Sequence, residues 1–81
     1  MQVELKVPED IWPRRRDWNG ELVALHIKEG NDINIGDVIA EVEIEKVVLK
    51  IVSKFKGKIV RVLSKEGDKV SPGTIIALLE V

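Results

Sequence analysis

The chain repeats itself. Residues 20–30 (GELVALHIKEG) align without a gap on residues 57–67 (GKIVRVLSKEG), a displacement of 37 positions. The same displacement carries Gly36 onto Gly73, Ile39 onto Ile76, Ala40 onto Ala77 and Glu43 onto Glu80. A unit of this size exposes too much of its own surface to hold a core alone, so the two copies must bury their apolar faces against one another. Each copy alternates short apolar runs with glycine turns, at Gly30 and Gly67 followed by Asn31 and Asp68, and again at Gly36 and Gly73, where Pro72 presets the bend.

Upstream, residues 3–8 (VELKVP) resemble residues 48–53 (VLKIVS), so each half also opens with a strand. Eleven residues then part Pro8 from Gly20 but only three part Ser53 from Gly57, which leaves eight extra residues in one connection of the first half. This insertion, residues 9–19, belongs on the surface. No window elsewhere shows helical spacing with caps, and Gly or Pro interrupts each one long enough to try. The chain is enriched in Val, Ile and Leu with aromatics at only 4%, a composition that favours strands over an aromatic-lined ligand pocket. The expected fold is all-β: one domain over residues 1–81, with halves of about 1–44 and 45–81, closing as a flattened β-barrel or barrel-sandwich hybrid of two short-stranded sheets with quasi-twofold symmetry. The hairpin joining the halves, around residues 42–51, then falls at one end and both termini at the other.

In that hairpin Val42 and Ile44 alternate with Glu41, Glu43 and Glu45, and Val47, Leu49 and Ile51 form the next alternating series. Glu45 and Lys46 are left at the reversal. Neither is Gly or Asn, which predicts a type I bend rather than a primed turn with positive φ. Lys46 is thereby presented outward as an unhindered primary amine on a flexible stem. Taken alone, such a lysine is most simply a solvated charge. A solvated lysine is protonated at neutral pH, so acylating it requires an enzyme that delivers an activated acyl group and removes the proton.

The duplicated halves, the turn glycines at 30, 36, 57, 67 and 73 and the central lysine resemble the lipoyl/biotinyl attachment domains, whose modified lysine occupies this symmetric hairpin. Residues 43–47 (EIEKV) stand in the place of the Glu-x-Asp-Lys-Ala turn of lipoyl domains of 2-oxoacid dehydrogenase complexes, with Glu45 for the aspartate and Val47 for the alanine, and residues 65–68 (KEGD) match closely. The resemblance implies that Lys46 is the covalent attachment point for lipoic acid, that Glu43, Glu45 and Val47 are read by a lipoate ligase, and that the domain is a substrate rather than an enzyme. It further implies a swinging-arm carrier passing acyl or aminomethyl groups and electrons among the dehydrogenase and acyltransferase components of a multienzyme complex. The biotin branch flanks its lysine with methionines, and the sole methionine here is Met1, so biotin ranks second. An unmodified barrel-sandwich adaptor is the remaining reading.

The insertion holds both tryptophans and three successive arginines. Trp12, Arg14, Arg15, Arg16 and Trp18 could dock an acidic partner, or the tryptophans could cover the core while the arginines face water. In the resembled family this loop lies beside the lysine hairpin and takes part in recognition. A net charge of −1 provides no domain-wide field for nucleic acid or an anionic membrane, and no apolar run approaches a bilayer's thickness. Without cysteine, and with His26 as the only histidine, the chain offers no disulfide, thiol nucleophile or metal-ligand set. His26, Lys28-Glu29 and Lys65-Glu66 read as ordinary strand and solvated turn residues. The expected location is the cytoplasm and the expected state of the isolated domain a monomer.

Overall fold

A computed structural model describes residues 1–8 and 20–81 of the chain. It consists of eight strands, β1 (Gln2–Lys6), β2 (Gly20–Leu25), β3 (Asp32–Ile33), β4 (Val38–Ile44), β5 (Val47–Val52), β6 (Gly57–Val62), β7 (Lys69–Val70) and β8 (Ile75–Glu80), with no helix among the described residues. The strands make two four-stranded antiparallel sheets, in the orders β1-β8-β6-β3 and β5-β4-β2-β7. The sheets stack as a sandwich and their ladders do not close into a continuous barrel.

The halves are not the layers. Each sheet takes two strands from each half, and exchanging the halves turns one strand order into the other. The duplication extends to the irregularities: the β2–β4 ladder slips between Leu22 and Ala24 and the β6–β8 ladder between Ile59 and Arg61, the same place in each copy. Side chains matched by the repeat meet in the core, where Leu22 and Ile59, Ile33 and Val70, Ile39 and Ile76, Ala40 and Ala77, and Val42 and Leu79 are all buried. Apolar residues alternating along strands bury one face of each sheet and leave the other to water, and the two buried faces meet.

The equivalence of β1 and β5 differs from the alignment of residues 3–8 with 48–53. Leu5 pairs with Ala77 as Ile51 pairs with Ala40, and Val7 N donates to Thr74 O as Ser53 N donates to Asp37 O (both 2.9 Å), so residues 2–7 match 48–53. A one-residue slip on a strand exchanges its faces. The sequence alignment sets buried Leu5 against exposed Lys50, whereas the structure matches it to buried Ile51. Twelve residues therefore part Val7 from Gly20 against three between Ser53 and Gly57, which makes the insertion nine residues longer than its counterpart.

Four turns share one construction. In Lys65–Asp68 the Asp68 amide donates to Lys65 O at 3.1 Å, the Lys65 amide donates to Asp68 Oδ2 at 2.9 Å, and Gly67 has φ 94°, the positive value that a type II turn needs at its third residue. The same pair of bonds, with Asn, Asp or Thr as the side-chain acceptor, recurs in the turns ending at Asn31, Asp37 and Thr74. Glu66 is more than a solvated turn residue: its Oε2 accepts the Leu25 amide at 2.9 Å, tying this turn to the end of β2.

Directions along the sheets set the two ends. β2 leaves the β4–β5 hairpin, with Glu21 beside Glu43 at its start and Leu25 beside Ala40 at its end. The chain then enters β3, whose Asp32 faces Lys58, itself opposite Glu80. There the termini meet: Val81 N donates to Met1 O at 2.9 Å and the Met1 ammonium lies 3.1 Å from Glu80 Oε1. The hairpin and the chain ends occupy opposite ends of the molecule.

Gly57 starts β6 hard against β8, and a Cβ there would overlap the Glu80 carbonyl oxygen. Gly57→Ala is expected to lower stability by about 1–3 kcal/mol, read as a several-degree fall in Tm by circular dichroism; an unchanged Tm would show that β6 and β8 do not approach this closely.

Candidate functional site

β4 and β5 are the only sequence-adjacent strands that pair with each other among the described residues; every other connection crosses from one sheet to the other. Their ladder runs from Val38 opposite Val52 to Ile44 opposite Val47, leaving a two-residue tip of Glu45 and Lys46. Ile44 is buried and anchors the tip in the core, while Glu43, Glu45 and Lys46 are exposed. Val47 continues an alternating apolar series but lies beyond the end of the core, 57% exposed.

The bend is not the expected type I. Glu45 has φ 57°, and it is the only non-glycine residue with positive φ among those described. A positive φ at the first central residue belongs to the primed turns rather than to type I. Such a turn has the twist of its flanking strands, whereas a type I bend would splay them. The β4–β5 ladder, held on both sides of the tip, overrides the local preference of Glu45 at a cost of roughly 1–2 kcal/mol.

Lys46 follows this constrained residue with its side chain in solvent and forms no ion pair with another described residue. A groove of about 760 Å³, lined by Val3, Leu5, Pro8, Ile39, Phe55 and Leu78, runs along β1 past the far end of β5 and does not include the tip. The lysine is exposed and lies outside this groove. Among the described residues the arrangement offers a single amine from a fixed base, with no acid–base pair or nucleophile around it.

Sequence reasoning brought Glu43, Glu45, Lys46 and Val47 together, and the structure places all four at the tip. Trp12, Arg14, Arg15, Arg16 and Trp18 lie outside the described residues. His26 follows β2 rather than lying within it, with Nε2 2.8 Å from Glu41 Oε2 on the flank of the sheet, and no group of three metal-ligating side chains occurs among the described residues. Residues that sequence reasoning passed over are Val48, Glu21 and Lys69, which with Glu43 make a cross-strand row at the hairpin end. The repeat held a signal for one of them, since the displacement of 37 sets Glu21 against Lys58, a reversal of charge.

The sequence model of the Biotin_lipoyl family, described as "Biotin-requiring enzyme", matches residues 18–79. The chain belongs to the biotin/lipoyl attachment family. Among its curated relatives, the dihydrolipoyllysine-residue acetyltransferase component of the pyruvate dehydrogenase complex of Zymomonas mobilis is 30% identical over 80 residues, covering 98% of this chain and 18% of that protein. Urea amidolyase of Lachancea kluyveri is 27% identical over 78 residues, covering 96% of this chain and 4% of that protein. The chain thus spans less than a fifth of the length of either relative. The solution structure of the lipoyl domain of the 2-oxoglutarate dehydrogenase complex from Azotobacter vinelandii superposes with a TM-score of 0.71 at 23% identity, covering 95% of this chain and 96% of that one. The fold is that of a lipoyl domain, and the chain is an attachment domain of this family.

Replacing Glu45 by Asn, which tolerates the left-handed region, is expected to raise stability by about 0.5–1 kcal/mol, and replacing it by Val to lower it by a similar amount or more. Thermal denaturation of both variants checks this; equal Tm values for the two would contradict a positive φ at residue 45.

Proposed function

We propose that Lys46 is the attachment point of a lipoyl group and that the domain carries acyl or aminomethyl groups and electrons between the active sites of a multienzyme complex of the 2-oxoacid dehydrogenase type. The observation that carries the proposal is the position of Lys46, exposed on the two-residue tip of the sole sequential hairpin among the described residues, at the turn that joins the duplicated halves. The site fits such a group, because an open primary amine needs only an activated carboxylic acid to form an amide. Lipoic acid, when bound, supplies a dithiolane that exchanges acyl groups and electrons.

The chain's own residues do the rest. A lipoate ligase delivers the acyl group in activated form; the Lys46 ammonium loses a proton, its Nζ bonds to the acyl carbon, and the activating group leaves with the bonding electrons. Glu43, Glu45 and Val47 flank the amine and form the surface that the ligase reads. The ladder from Ile44 to Val47 then keeps the root of the arm in one place, so the tethered group meets each partner site at an effective concentration that free diffusion does not reach. Dehydrogenase and acyltransferase components are the proposed partners, the cytoplasm the proposed location, and a monomer the proposed state of the isolated domain.

Biotin on the same lysine is the second reading, supported by the family model's description as a biotin-requiring enzyme. Glu45 and Val47 beside Lys46, where biotin domains of the family carry methionine, favour lipoate.

Intact mass spectrometry of the protein from lipoate-replete native cells is expected to show one lipoyl adduct, absent from Lys46→Ala and Lys46→Arg. Both substitutions at this exposed tip are expected to change stability by no more than about 0.5 kcal/mol, so loss of the adduct is not loss of the fold. An avidin-reactive adduct would replace lipoate by biotin, and an unmodified mass would contradict the carrier role.

A further inference from the structure

The duplication lets two ends of one molecule be compared on equivalent backbone. At the chain-end side, Asp32, Lys58, Glu80 and Gln2 face one another in a row across β3, β6, β8 and β1. Charges alternate along this row, the outer position on the edge strand is polar, and Glu80 also takes the Met1 ammonium at 3.1 Å. The equivalent row at the hairpin end is Lys69, Glu21, Glu43 and Val48 across β7, β2, β4 and β5. Each row carries two carboxylates and one lysine, so the difference lies in the arrangement of charge and not its amount.

The second arrangement works against the fold in two separate ways. Glu21 and Glu43 are directly opposite, where like charges destabilise a ladder, while the equivalent Lys58 and Glu80 attract. Val48 on the edge strand is 47% exposed where the equivalent position holds Gln2, while its neighbour Val47, 57% exposed, is matched by the exposed Met1. An exposed apolar edge favours unwanted pairing, and proteins ordinarily blunt it with charge. The same backbone accepts alternating charge and a polar edge at its other end, so neither departure is required by the architecture. Both occur at the end that presents Lys46, and departures from local consistency concentrate at functional surfaces.

We propose that the surface which the acylating enzyme reads around Lys46 extends beyond Glu43 and Val47 to Glu21 and Val48, so that the enzyme answers the facing carboxylates with a cationic group and the two valines with an apolar patch. The inference rests on the attachment reading above and extends it to the partner's chemistry. Continuity with the tip selects this occupant: Val47 adjoins Lys46 in the chain, and Val48 and Glu43 are the next outward-facing pair of the same hairpin. An enzyme that reaches the Lys46 amine covers them. Burying Val47 and Val48 removes the exposed edge, and a cation between Glu21 and Glu43 turns their repulsion into attraction.

The test measures initial rates of lipoylation of the unmodified 81-residue domain by a lipoate ligase with lipoate and ATP, followed by intact mass at several domain concentrations. Three variants are compared with the parent: Glu21→Lys and Val48→Gln, each copying the residue at the other end, and Lys58→Glu, which places facing carboxylates at the chain ends instead. Glu21→Lys is expected to keep or raise Tm while raising KM about tenfold with kcat within about twofold, and to weaken the dependence of the rate on salt. Val48→Gln is expected to keep the fold and raise KM several-fold. Lys58→Glu is expected to lower Tm and leave KM unchanged. Unchanged KM in both Glu21→Lys and Val48→Gln, beside normal modification of the parent, would overturn the docking surface alone. A parent that the ligase leaves unmodified at Lys46 would overturn the attachment reading itself. A concentration-dependent dimer in light scattering, lost in Val48→Gln, would assign the face to a second copy of the chain and also overturn the proposal.

Discussion

The architecture depends on the interleaving of the two halves. Each sheet is built from two strands of either half, so neither copy can complete a ladder or cover its apolar face without the other. The buried pairs Leu22 with Ile59, Ile39 with Ile76 and Val42 with Leu79 are the energetic expression of that dependence, in one contiguous core to which both repeats contribute. Connections that cross between layers make most strand contacts distant in sequence, an arrangement that folds slowly because loop closure precedes the contacts that reward it. It also means that, among the described residues, the chain doubles directly back on itself within one sheet only between β4 and β5, and that turn joins the halves.

The site follows from the same constraint. A two-residue tip on a ladder fastened by Ile44 cannot splay, so Glu45 takes up a left-handed backbone and Lys46 is held clear of the core. No acid–base constellation surrounds the amine among the described residues. What the fold contributes to the proposed carrier role is placement: a group attached to Lys46 would depart from a fixed root, with the chemistry left to that group and to the proteins it meets.

Much of this was legible in the residues. The displacement of 37 exposed the duplication, the glycine turns punctuated the strands, and the alternation of Val42 and Ile44 with glutamates placed Lys46 at a bend. Periodicity could not say which strands share a layer, because an alternating pattern records only that a face is buried. It also misaligned β1 by one residue: with Val, Leu and Ile on both faces of two short segments, only the pairing of Leu5 with Ala77 decides the register. The backbone of Glu45 was misjudged because residue preference is local, whereas the twist of the joined strands is not. The carboxylate of Glu66 on the Leu25 amide, 41 positions away in the chain, left no trace in either segment. The Trp and Arg residues of the insertion, read from the sequence either as a docking patch or as cover for the core, lie outside the described residues.

The central claim is that the hairpin is a stiff mount for the Lys46 amine. Backbone 15N relaxation across residues 40–52 tests it most directly. The account predicts order parameters at Glu45 and Lys46 close to those of β4 and β5, about 0.85; values below about 0.6 confined to the tip would mean a mobile loop and would contradict it.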